Sequence, residues 1–253
     1  MYEFSTLKAC TGVIVRNDEG KIIHGRNLDF DMWLLLSNLV ANIQYYKGDK
    51  LLYSVDTIVG SVFTLTANKP GAFSVEVNTR QEERFQDDFI SILVKNDIPT
   101  CWLLRKTVEE EGDYASAVKR LKTTPIAGPV YFVVSGIQGN EGIIIERDSN
   151  KVHAAYELSD ENWFIVQTNY DRDRPDPSDD QRRIPAENRL KERGNKNFKE
   201  QDLFDTVMSK NPTLNLETIY TVVMVSSTGY HNTTAWYGQN PNPDNKAQHL
   251  AKE

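Results

Sequence analysis

Three pairs of β-forming runs, each joined by a turn-forming segment, occupy the first third of this 253-residue chain. Residues 11–16 and 21–25 flank Asn17-Asp18-Glu19-Gly20. Residues 42–46 and 51–57 flank Lys47-Gly48-Asp49-Lys50, and residues 61–66 and 72–77 flank Ala67-Asn68-Lys69-Pro70-Gly71. Runs of this kind bounded by Gly, Asn and Asp predict hairpins, so the region is expected to form an antiparallel meander.

The period then changes. Phe85, Phe89, Ile92 and Leu93 recur at helical spacing, as do Trp102, Leu103 and Val108, then Tyr114, Ala117, Val118 and Leu121. Pro99 and Gly112 separate these segments. Strands resume at residues 130–135, 142–146, 152–158 and 163–168. Residues 171–183, rich in Pro, Asp and Arg, predict a functional loop. A helical section over about 186–209 and a hairpin around Ser226-Ser227-Thr228-Gly229 follow. Helices covering two packed antiparallel sheets satisfy this order within one α+β domain. No composition shift marks an interdomain linker.

Charge and motifs narrow the function. A net charge of -7 argues against a nucleic-acid partner, which calls for a basic face. The longest apolar cluster, residues 32–36 with Leu39 and Val40, is too short to span a bilayer. Residues 1–9 lack the apolar core of a signal peptide. Two cysteines allow at most one disulfide, so nothing demands an oxidising compartment. The sequence holds no phosphate-binding loop, no dinucleotide fingerprint, no Cys pair at zinc spacing and no G-x-S-x-G elbow. His24, His153, His231 and His249 are scattered. No metal or cofactor is expected.

The candidate chemistry lies in the first hairpin. Cys10-Thr11 opens it, and Gly25-Arg26-Asn27-Leu28-Asp29-Phe30 closes it. An antiparallel return brings Arg26 and Asp29 near Cys10. A guanidinium beside a thiol favours the thiolate, and a carboxylate can orient an amine or accept a proton. A small core cysteine beside a salt bridge fits the same residues, and on this ground both accounts stay open.

Longer motifs add to this. Cys10-Thr11, Gly20 and His24-Gly25-Arg26-Asn27-Leu28-Asp29-Phe30 are followed by Lys69-Pro70-Gly71-Ala72-Phe73-Ser74, Thr124-Pro125-Ile126, Glu141-Gly142 and Arg147-Asp148. Gln167-Thr168-Asn169-Tyr170-Asp171-Arg172 and Asp179-Asp180-Gln181-Arg182-Arg183-Ile184-Pro185-Ala186 come later. Together, from Cys10 to about Tyr237, they resemble the acid ceramidase and N-acylethanolamine-hydrolysing acid amidase family. These are N-terminal-nucleophile cysteine hydrolases related to bile salt hydrolases and penicillin V acylases.

The resemblance implies a four-layer αββα sandwich and autocleavage between Ala9 and Cys10. Residues 1–9 would be the tail of an α-segment, and 10–253 the catalytic domain. The freed α-amine, with a pKa of about 8 in short peptides, would act as general base for its own thiol. Arg26 and Asp29 are assigned to the site, Asn169 to the oxyanion hole, and Arg182 to its frame. Asn78 matches an oxyanion-side asparagine of the bile salt hydrolases. Thr79 departs from the pattern, since the family usually carries an acidic residue there. The family's α-segment is far longer than nine residues, so a separate α-segment or subunit is an expected partner. A lysosomal or secretory location follows from resemblance alone, and the bracing cysteines of the lysosomal enzymes do not match. Cys101 is expected to be inert in a helix over 98–111.

The expected substrate is a lipid N-acyl amide, either ceramide or an N-acylethanolamine. Trp33 and Leu35, in the apolar run 32–36, would then line an acyl channel or touch a membrane, or the run is ordinary core. The alternatives are a bile-salt-hydrolase or penicillin-acylase-like activity on smaller acyl groups, and an unprocessed, non-catalytic lipid-binding relative.

Overall fold

The first two runs fold back on each other as β1 (Ala9–Arg16) and β2 (Ile22–Asp29), with Cys10 opposite Leu28 and Gly12 opposite Arg26. Asn17 shapes the turn: its Oδ1 accepts from the amides of Glu19 and Lys21 at 3.0 and 2.8 Å. The structure, a computed structural model, describes residues 9–30, 32–61, 63–80, 97–177 and 181–236.

Two antiparallel sheets result. The five-stranded sheet runs β10 (Phe164–Gln167), β1, β2, β11 (Thr218–Val225), β12 (Tyr230–Ala235). The seven-stranded sheet keeps chain order: β3 (Val40–Lys47), β4 (Lys50–Ile58), β5 (Thr66–Lys69), β6 (Phe73–Thr79), β7 (Val130–Ser135), β8 (Gly142–Arg147), β9 (Val152–Glu157). Successive side chains on a strand face opposite sides. On β1, Cys10 and Ile14 therefore pack between the sheets, while Val13 and Val15 pack outward beneath helices.

Helices cover both outer faces. Leu103, Leu104 and Val108 of α2 (Thr100–Glu110), with Ala117 and Leu121 of α3 (Tyr114–Thr123), bury Val55, Val75, Phe132 and Ile145 of the seven-stranded sheet. Asp113 caps α3, its Oδ1 accepting from Ser116 N at 2.8 Å. On the other side, Ala186 and Leu190 of α4 (Arg183–Arg193) and Leu203 of α5 (Glu200–Leu203) cover Val13, Ile23, Val166 and Val223. Sheets covered on both faces need near-continuous apolar strands, and β7 and β11 are buried throughout. This is the expected αββα sandwich.

Two local readings change. In the third hairpin the strand is Thr66–Lys69, not residues 61–66, and the turn shrinks to Pro70, Gly71 and Ala72, with Gly71 at φ +74°. The cause is Asn68, a residue that favours turns but is buried here. Its Nδ2 donates to Tyr230 O and its Oδ1 accepts from Ser226 Oγ, both at 2.9 Å, linking the sheets. The section over 186–209 begins earlier, at Arg183, and is broken at Gly194, with a π-helical turn (Phe204–Met208) after α5. The segment carrying Phe85, Phe89, Ile92 and Leu93 lies outside the described residues. No described helix is long and apolar enough to cross a membrane.

Candidate active site

Cys10 enters the site because it lies near the start of β1 on the face between the sheets, with its thiol buried beside Leu28 and Tyr220. Arg26 lies on the same face of the neighbouring strand and directs Nη2 at Cys10 Sγ, 3.5 Å away. Its Nη1 donates to the carbonyls of Leu65 and Val77, each at 3.1 Å, which fixes the guanidinium under the sulfur. Arg26 does draw the thiol towards its ionised form. Burial is the larger influence, however, and the Cys10 pKa is raised. The guanidinium alone therefore does not activate the thiol.

Asn169 and Arg182 grip the backbone of the same residue. Cys10 N donates to Asn169 Oδ1 at 2.6 Å, and Asn169 Nδ2 donates to Thr79 O at 2.9 Å. Position 79 thus contributes a carbonyl to the site although it lacks the family's acid. Arg182 Nη2 donates to Asn169 Oδ1 at 3.0 Å, while its Nη1 reaches Cys10 O at 3.0 Å and Thr11 Oγ1 at 3.3 Å.

Asp29 lies beside Cys10, opposite Ala9 in the register, but on the other face of β2 from Arg26. It lies three positions after Arg26, an odd step that sends the two side chains to opposite faces of β2. Asp29 points towards α4, where it pairs with Arg182 at 3.2 Å and accepts from Asn215 Nδ2 at 2.9 Å. Its burial pushes the carboxyl up to about 6, against the pull of Arg182. Asp29 therefore holds Arg182 against the Cys10 backbone, and its own charge adds to the burial that raises the thiol pKa.

The remaining candidates divide. Asn78 donates to Gln167 O at 3.4 Å, on the strand that leads to Asn169. Trp33, in α1 (Trp33–Leu36), packs on the cluster that contains Cys10, Leu28 and Tyr220, whereas Leu35 is 56% exposed. Leu34, Val59 and Phe63 are exposed with it. The apolar run is thus half core and half surface. Cys101 lies in α2, and neither cysteine is in a disulfide. His24 is buried with Nδ1 2.8 Å from Ser74 Oγ, and burial, aided by Arg26, holds its pKa down to about 3. Among the described residues no cluster of three or more His, Cys, Asp or Glu could hold a metal.

Sequence reasoning missed Asn215 and Glu76. Asn215 lies in a connection with no periodic signal. Glu76 carried one: with Ser74 and Asn78 it makes one face of β6 polar, in a sheet predicted to be covered on both faces.

A cysteine heading the first strand of an αββα sandwich, held at its nitrogen, carbonyl and sulfur by side chains, has the layout of an N-terminal-nucleophile hydrolase. The chain belongs to the choloylglycine hydrolase family of linear amide C–N hydrolases, which its residues 10–182 match. The N-acylethanolamine-hydrolyzing acid amidase of Rattus norvegicus is 36% identical over 225 residues, covering 88% of this chain and 61% of its own length. The acid ceramidase of Bos taurus is 35% identical over 254 residues, covering 92% and 62%. The solved structure of the Caenorhabditis elegans N-acylethanolamine-hydrolyzing acid amidase ortholog superposes with a TM-score of 0.80 at 32% identity, over 90% of this chain and 100% of that one. The chain spans about 61% of the first of these relatives.

Proposed function

We propose that this chain is the catalytic part of an amidohydrolase that cleaves lipid N-acyl amides through a Cys10 acyl-enzyme, after autoproteolysis between Ala9 and Cys10. The observation that carries this reading is the 2.6 Å contact between Cys10 N and Asn169 Oδ1. Once the Ala9–Cys10 bond is cut, that nitrogen becomes an α-amine whose N–H stays on Asn169, leaving its lone pair to take the thiol proton. A base on the same residue also overcomes the burial that keeps the thiol protonated.

In the forward step Sγ attacks the amide carbonyl, the C–N bond breaks, and the amine departs with the proton held on the Cys10 nitrogen. Water then attacks the thioester, releases the fatty acid and restores the thiol. Asn169 Nδ2 carries two protons and gives one to Thr79 O; the second is the donor for the oxyanion. Arg26 stays beneath the sulfur, and Arg182 with Asp29 holds the Cys10 backbone. No step calls for a metal or cofactor.

Exposed Leu34 and Leu35 beside partly buried Trp33 and Leu36 support a long acyl chain and peripheral membrane contact, through Trp33 and Leu35, over smaller acyl groups. An α-segment or separate subunit is the proposed protein partner. The test is an acid-quenched single turnover with N-palmitoylethanolamine and with a C16 ceramide. A palmitoyl thioester on the Cys10 peptide is the expected result. Fatty acid release without that adduct overturns the reading.

A further inference from the structure

Glu76 is fully buried on the inter-sheet face of β6, beneath Cys10. Neither of its carboxylate oxygens accepts a hydrogen bond among the described residues. Asn78, the next residue on that face, exerts a weak pull without reaching bonding geometry. The space it fills exists because position 12 is glycine: a Cβ there would overlap Glu76 Oε1 and lie 2.9 Å from its carboxyl carbon. Glu76 Oε2 sits 3.7 Å from Arg26 Nη1 and 3.8 Å from His24 Nε2. The same guanidinium holds Cys10 Sγ at 3.5 Å with its other terminal nitrogen. Two acids therefore flank one cation.

Few other charges face this carboxyl. Cys10 comes from β1, and His24 and Arg26 from β2, while its register partners on β5 and β7 are Thr66 and Val133. His24 is neutral over the working range. Among the described residues Arg26 is thus the one positive charge against Glu76, and in a buried site a single guanidinium balances a single anion.

We infer that Glu76 is a positioning residue for the Cys10 centre, which competes with the sulfur for Arg26, so that a protonated Glu76 leaves the guanidinium to a thiolate at Cys10. Burial supports this by pushing the carboxyl up to about 8, opposed by Arg26. The two titrations are coupled: an ionised Glu76 opposes a thiolate at Cys10 and the reverse, while Arg182 favours the thiolate and Asp29 opposes it. The consequence is that an ionised Glu76 raises the pH at which the Cys10 thiol gives up its proton.

Its catalytic meaning rests on Cys10 being the nucleophile, but the test needs no substrate. In a Cys101→Ser background only one cysteine remains, and 13Cβ-cysteine labelling follows its titration by NMR, with intact mass confirming the same N-terminus in every sample. Glu76→Gln fills the same space and mimics the protonated acid. It should lower the Cys10 pKa by about one unit, about tenfold in thiolate near neutrality. Gly12→Ala, which keeps Glu76 but displaces its carboxyl, should shift the thiol in the same direction. A Cys10 pKa unchanged or raised in Glu76→Gln overturns the inference. That result leaves the amidase reading standing, and a lowered pKa in a protein that cleaves no amide separates the two the other way.

Discussion

The nitrogen of Cys10 and the side-chain oxygen of Asn169, 159 residues apart in sequence, meet at 2.6 Å. One amide thereby orients the nitrogen of the proposed nucleophile and keeps an N–H of its own for the substrate. Most of the expected consequences stem from that contact.

Asn169→Ala should reduce kcat about 10²–10³-fold through loss of the oxyanion donor. The contacts also predict a stability cost, because Arg182 Nη2 and Thr79 O lose their partner. That cost should be about 1–3 kcal/mol, measured by denaturant unfolding. Near-wild-type kcat removes Asn169 from the chemistry.

Arg26→Lys keeps the charge but not the fork that reaches Cys10 Sγ and two carbonyls together. Steady-state kinetics should show kcat/KM down about tenfold or more, with the fold retained by circular dichroism. Equal activity contradicts the role given to the guanidinium.

The buried acid has a signature in stability. Glu76 has its pKa raised to about 8 by burial, so the folded state binds its proton more tightly than the unfolded chain does. Stability should therefore be fully present below the unfolded carboxyl pKa of about 4.3 and fall as pH rises towards 8. Glu76→Gln should remove a part of that fall of about 3–4 kcal/mol between pH 5 and pH 8. Parallel melting curves for the two proteins across this range contradict it.

Trp33 and Leu35 should separate in their effects. Trp33→Ser removes packing from the cluster that contains Cys10 and should cost about 2 kcal/mol. Leu35→Ser alters an exposed position and should leave Tm within experimental error. On a C4 to C18 acyl series, each added CH₂ is worth about 0.8 kcal/mol until the acyl site is full, and Leu35→Ser should flatten that climb. Equal wild-type activity on short and long chains favours the small-acyl alternative.

The sequence makes the first hairpin plain because alternation and an Asn-led turn are local properties. Cys10 beside Arg26 followed from it directly. Asp29 was harder: the hairpin return places it beside Cys10, but strand parity turns its side chain to the other face from Arg26, where it meets Arg182. The third hairpin slipped for a related reason, since Asn68 has the chemistry of a turn and the environment of a core. Glu76 resembles a solvent-facing residue in any alternating strand. Only the two-sided burial of the seven-stranded sheet, together with the glycine at position 12 on another strand, gives it a place. The roles of Asn169 and Arg182 came from resemblance, because no local pattern joins them to Cys10.

The central claim is that Cys10 becomes an N-terminus. Intact mass and N-terminal sequencing of the expressed 253-residue chain test it most directly. The account predicts active protein beginning at Cys10, and a Cys10→Ala variant that stays uncut and inactive. Hydrolytic activity in protein whose N-terminus still lies ahead of Cys10 would contradict it.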